Sequence, residues 1–103
     1  MSAGVSRQAG GGHPVLRAIE EVGLVPLISS TRHDDLVRAA EIIVEAGLTV
    51  MEVTLRAPGA LDALGRLITR VDRAGLPLSV GAGTVLDADA ARAAAGLGAS
   101  FVF

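Results

Sequence analysis

The sequence has no cysteine, lysine, tryptophan or tyrosine. Without cysteine there are no disulfides and no thiolate metal sites. The aromatic content is two phenylalanines, Phe101 and Phe103, so a core has to be assembled from the Ala, Val, Leu and Ile that dominate a composition 50% hydrophobic. Long apolar runs are missing too. The longest uncharged stretch, Ala74 to Leu86, is interrupted by Gly and Pro, and it falls short of the ~18 apolar residues needed to span a bilayer. The opening residues lack the apolar centre of a secretory signal, and a cytoplasmic location is the simplest expectation. There is also no cationic stripe. Nine basic residues, every one an arginine, are scattered among eleven acidic ones for a net charge of -2, a pattern that argues against a nucleic-acid partner.

What is present divides into two parts. Residues 1–13 are small, polar and rich in Gly, with too little apolar surface to offset the entropy of ordering them, and are expected to form a disordered tail. Residues 14–103 read as one α/β unit. A short helix is expected over 14–22, with Pro14 in its first turn and Gly23 as its stop. Leu24 to Ser29 is an apolar run suited to a buried parallel strand, with Pro26 removing one ladder donor. Asp34 is placed to cap a helix whose face is Leu36, Val37, Ala40, Ile43 and Val44, ended by Gly47. Leu48 to Leu55 reads as a second strand. Pro58 opens a helix to about Arg73 with Gly75 as C-cap, Leu76 to Ala82 reads as a third strand, and Gly81 to Thr84 as a glycine-rich turn. Asp87 caps an alanine-rich helix over 88–97, and a fourth strand begins at Ser100.

Strand starts near residues 24, 48, 76 and 100 recur about every 25 residues, and such short connections require parallel crossovers. Four units of this kind make either a small doubly wound sheet or half of an eight-stranded barrel, and the period does not choose between them.

The second strand carries the chemistry. Alternation puts Val50, Glu52, Thr54 and Arg56 on one face and Met51, Val53 and Leu55 on the other. In a barrel the apolar face meets the helices, and the first delivers a carboxylate, a hydroxyl and a guanidinium to the interior near the C-terminal strand ends, where barrel active sites lie. A strand-borne glutamate loses solvation, which raises its pKa toward the range of a general acid or base. A structural ion pair between Glu52 and Arg56, or a Glu52 at a solvated edge, accounts for the same residues without chemistry. Gly81-Ala-Gly-Thr84 is read either as a plain turn or as a place where backbone amides approach an anion. His33 with Asp34 and Asp35 fits a solvated helix start better than a metal site. Arg32 follows the first strand and is within reach of an anionic group there, and His13 falls at the edge of the tail.

Glu52-Val-Thr-Leu-Arg56, preceded by Gly47, resembles the N-terminal active-site motif of the keto-hydroxyglutarate and keto-deoxy-phosphogluconate (KHG/KDPG) aldolase family. Val25-Pro-Leu-Ile28, Gly81-Ala-Gly-Thr-Val-Leu86 and Gly98-Ala-Ser-Phe-Val102 extend the resemblance over roughly residues 14–103. It implies a (β/α)8 TIM barrel, of which this chain would supply the first half, about four parallel strands with intervening helices. It further implies a class I aldolase in which Glu52 moves protons, Arg56 binds the anionic substrate and Thr84 bonds to it near the keto acid. Substrates would be 2-keto-3-deoxy-6-phosphogluconate or 4-hydroxy-2-oxoglutarate, split into pyruvate and an aldehyde with no cofactor and no metal, in a homotrimer when full length.

The family's reaction runs through a Schiff base on a lysine of a later strand, and this sequence has no lysine. The resemblance therefore implies a fragment, inactive by itself. Two other readings stand beside it. One is a non-catalytic half-barrel that binds or assembles, and the other is a different phosphate-binding barrel enzyme.

Overall fold

The computed structural model describes residues 25–103. The expected tail over 1–13, the helix over 14–22 and His13 lie outside the described residues. Strands β1 (Leu27–Ile28), β2 (Val50–Thr54) and β3 (Ser79–Gly83) form a parallel sheet in the order β1-β2-β3. Leu27, Glu52 and Gly81 stand level across it, and Thr54 is level with Gly83. The fourth strand is present as a single bridge, Ala82 to Val102, flanked by bonds from the Ser100 amide to the Val80 carbonyl and from the Phe103 amide to the Ala82 carbonyl, both 2.8 Å.

The strands are shorter than the sequence suggests, because residues assigned to their starts finish the preceding helices. The Leu48 amide bonds back to the Ile43 carbonyl, and that of Leu76 to the Val71 carbonyl. Pairing on β2 and β3 then begins at Val50 and Ser79. Pro26 has no donor, but its carbonyl accepts from the Glu52 amide at 2.9 Å, so β1 engages β2 through acceptors before its ladder starts. The third strand extends through Gly83, which moves Gly81 and Gly83 out of the expected turn and into the sheet.

Three helices follow: α1 (His33–Glu45), α2 (Ala60–Ala74) and α3 (Ala88–Gly96). Asp34 is not the cap of α1. Arg32 holds that position without a side-chain bond, and Asp34 and Asp35 fall in the first turn, where carboxylates suit the positive end of the helix dipole. Helix α2 begins after Gly59 rather than at Pro58 and ends on Gly75, whose φ of 64° is the left-handed conformation that glycine adopts freely. Asp87 caps α3 as expected, its carboxylate accepting from the Ala90 amide at 2.7 Å.

One apolar cluster joins Leu36, Ala40 and Ile43 of α1, Leu64, Leu67 and Val71 of α2, and Ala94 of α3 to Met51, Val53, Val80 and Ala82 of the sheet. All three helices thus pack on the same side. A doubly wound sheet carries helices on both sides, whereas a barrel keeps its second face for the interior. The side-chain clusters therefore make the choice that the strand period left open. The opposite face holds a separate small cluster, Val50 and Phe101 with Val25 and Phe103 packed against them.

Candidate active site

The inner face of β2 carries Val50, Glu52 and Thr54, all of them buried. Glu52 is only 4% exposed, so it is not at a solvated edge. Nor is it half of an ion pair, since no cation of the described residues lies within salt-bridge distance of it. Its Oε1 is buried with no hydrogen-bond partner, and burial pushes the carboxyl pKa up from its ordinary value. Buried polar atoms are paired in most proteins, so an orphan one on a buried carboxyl with a raised pKa marks Glu52 as a candidate functional group.

The neighbouring strand makes this placement possible. A side chain at Gly83 would occupy the space of the Glu52 carboxyl, and one at Gly81 would occupy that of the Phe101 ring. The sequence alone reads these glycines as a turn or an anion cradle; in the structure they are sockets for side chains from the strands on either side. The missed signal was their alternation, since positions 81 and 83 share the inner face of a strand.

Toward the C-terminal strand ends the face becomes hydrophilic. Ser29 and Thr54 hydroxyls lie 2.7 Å apart. The Arg56 Nε donates to the Thr84 hydroxyl at 3.3 Å, which brings together two residues that are 28 apart in sequence. Among the described residues Thr84 is the non-glycine residue with positive φ, at 57°, an uncommon conformation for a β-branched residue and one that concentrates at functional sites. A cavity of about 320 Å³ opens here, lined by Ser29, Ser30, Thr31, Arg32, Thr54 and Arg56. The structure thus groups Arg56 with Thr84 and brings Arg32 to the same mouth, where it also pairs with Asp35 at 3.6 Å. Glu52 sits deeper, below Thr54 on the same strand. Ser29 was not singled out from the sequence; its hydroxyl is set by the register that places it opposite Thr54.

A larger groove of about 670 Å³ runs along Arg66, Arg70 and Arg73 on the helix layer. It contains none of the strand-end residues and is separate from this site. His33 opens onto that groove instead of the strand ends, and no trio of His, Asp or Glu among the described residues is placed to hold a metal ion.

A parallel half-barrel with a buried carboxyl inside, and a guanidinium and hydroxyls at the C-terminal strand ends, defines the class: a TIM-barrel protein. The family follows from the comparisons. The sequence model described as KDPG and KHG aldolase matches residues 15–103, and the chain belongs to that family. It is 39% identical over 82 residues to the 2-dehydro-3-deoxy-phosphogluconate aldolase of Pseudomonas aeruginosa, a match covering 80% of this chain and 36% of that protein. Among solved structures, the 2-keto-3-deoxy-6-phospho-gluconate aldolase of Zymomonas mobilis superposes with a TM-score of 0.65 at 37% identity, over 76% of this chain and 35% of that one. The KDPG aldolase of Legionella pneumophila, with pyruvate captured as a covalent carbinolamine, gives 0.67 at 33% identity over 76% and 36%. The chain spans about a third of the length of these relatives.

Proposed function

We propose that this chain supplies the acid/base and anion-binding part of a class I aldolase acting on 2-keto-3-deoxy-6-phosphogluconate, 4-hydroxy-2-oxoglutarate or both. The observation that carries this reading is Glu52, a buried carboxyl with an unpaired oxygen, held inside a strand whose far end presents Arg56 bonded to Thr84. Burial raises the Glu52 pKa, which moves a carboxyl toward the range where it can both accept and donate protons.

In the reaction, a lysine amine contributed from outside these residues condenses with the 2-keto group and expels water. Glu52 accepts the proton of the 4-hydroxyl as the bond between C3 and C4 breaks, and the electron pair passes to the iminium. The aldehyde leaves, and Glu52 returns a proton to C3 of the enamine. Hydrolysis then frees pyruvate and the amine. Arg56 and Thr84 hold the substrate carboxylate so that C4 lies above Glu52. The working assembly is a cytoplasmic homotrimer in sugar-acid breakdown.

The test is to join residues 15–103 to the lysine-bearing strands of the Pseudomonas aeruginosa relative and to assay pyruvate release from both keto acids. Release from either supports the reading. A folded hybrid that binds pyruvate covalently but cleaves neither substrate contradicts it.

A further inference from the structure

The two aromatic residues of the sequence, Phe101 and Phe103, both lie on the face of the sheet that carries the carboxyl to which the reaction is assigned. The bridge between Ala82 and Val102 sets Phe101 level with Gly81, and Gly81 is level with Glu52. Because Gly81 has no side chain, the Phe101 ring folds over it into the space a Cβ would take. Glu52 folds over Gly83, two residues along the same strand, from the opposite side. Ring and carboxyl therefore lie on adjacent inner positions of β3. Phe103, also inward-facing, packs its ring on that of Phe101 with centroids 5.1 Å apart and a 55° tilt, and both rings belong to the inner cluster with Val50.

We infer that Phe101, backed by Phe103, is a positioning residue for Glu52: its ring closes the inner face over Gly81, keeps water from the carboxyl and holds it over Gly83. This rests on the assignment of Glu52 as the acid/base and adds the means by which that group is kept dry. Among the described residues the charge around it leaves few other causes, and the amino terminus acts the opposite way, lowering the carboxyl pKa. The inward positions of β1 and β3 level with Glu52 and Thr54 are Leu27, Ser29, Gly81 and Gly83, none of which ionises. The nearest ionisable group along its own segment is Arg56, two residues past the end of β2, which is exposed and bonded to Thr84. Beside Gly83 the main-chain oxygen of Phe103 accepts from the Val85 amide at 3.0 Å. An apolar wall acts by removing solvent, which disfavours the charged form of a carboxyl.

The test is a carbon-detected NMR titration of the Glu52 carboxyl in the 103-residue chain, with Phe101→Leu, Phe101→Ala and Phe103→Leu compared with the parent. The expected result is a downward shift of the midpoint toward the ordinary glutamate value, largest for Phe101→Ala and smaller for Phe101→Leu and Phe103→Leu, while the amide spectrum stays that of the fold. A midpoint that stays in place in folded Phe101→Leu and Phe103→Leu overturns the inference, even if Phe101→Ala fails to fold. Because no substrate enters the measurement, that result leaves the aldolase reading standing, and loss of cleavage in the hybrid leaves the wall standing.

Discussion

At the scale of single residues, the site depends on what is absent from positions 81 and 83. Gly83→Ala places a methyl where the Glu52 carboxyl lies. The displaced group is the free end of a flexible side chain, so the stability cost should fall at about 1 kcal/mol, the low end of overpacking. The same change should lower the Glu52 titration midpoint as the carboxyl swings into water. Denaturant unfolding and the NMR titration check the two parts separately. Glu52 also predicts a pH dependence. Its folded pKa lies above the unfolded value, so the folded state binds more protons through the interval between them and stability falls as pH rises across it. Glu52→Gln should therefore unfold at a higher temperature than the parent at neutral pH, with the gap closing in acid below the unfolded pKa. Thermal melts over a pH series measure this, and a gap that is independent of pH would contradict it. The burial of Glu52 and its inward direction were legible from alternation along β2. Its neighbours were not, because the contacts of Gly83 and Phe101 depend on the register between strands, which no single strand encodes.

At the scale of elements, chain reversals are held by local chemistry that the sequence shows well. Asp87→Ala removes the carboxylate that bonds the Ala90 amide and should cost about 0.5–2 kcal/mol. Gly75→Ala forces a side chain into the left-handed conformation that ends α2 and should cost about 1 kcal/mol. Urea unfolding of each variant gives the values. Gly47, Gly75 and Asp87 mark helix ends in the sequence and do so in the structure. Strand boundaries were less legible. Leu48 and Leu76 have the side chains of strand residues, but their amides bond to the helices they follow, a competition between neighbouring elements that composition does not reveal. Helix α1 was misread at its start for a similar reason: an aspartate in the first turn satisfies the dipole as well as one at the cap position.

At the scale of the whole molecule, the helices bury one face of the sheet and leave the other to the site. The five largest fully buried side chains among the described residues, Leu36, Met51, Val53, Leu64 and Leu67, all belong to the helix side. Each contributes about 1.5–3 kcal/mol on burial, so the helix layer and not the inner face holds these residues together. On the inner face Leu27 remains 53% exposed, level with Glu52. That division lets the inner face keep an unpaired carboxyl and a strained Thr84 that a packed core would not tolerate. The central claim, that Glu52 moves the protons of carbon-carbon cleavage, is tested most directly in the hybrid with the Pseudomonas aeruginosa strands. There, Glu52→Gln is compared with the parent by borohydride trapping of pyruvate and by the rate of cleavage. The account predicts trapping in both and a loss of cleavage of about 10²–10⁴-fold in the variant, the usual contribution of a positioned acid/base. Equal cleavage rates in two proteins that trap pyruvate equally would contradict it.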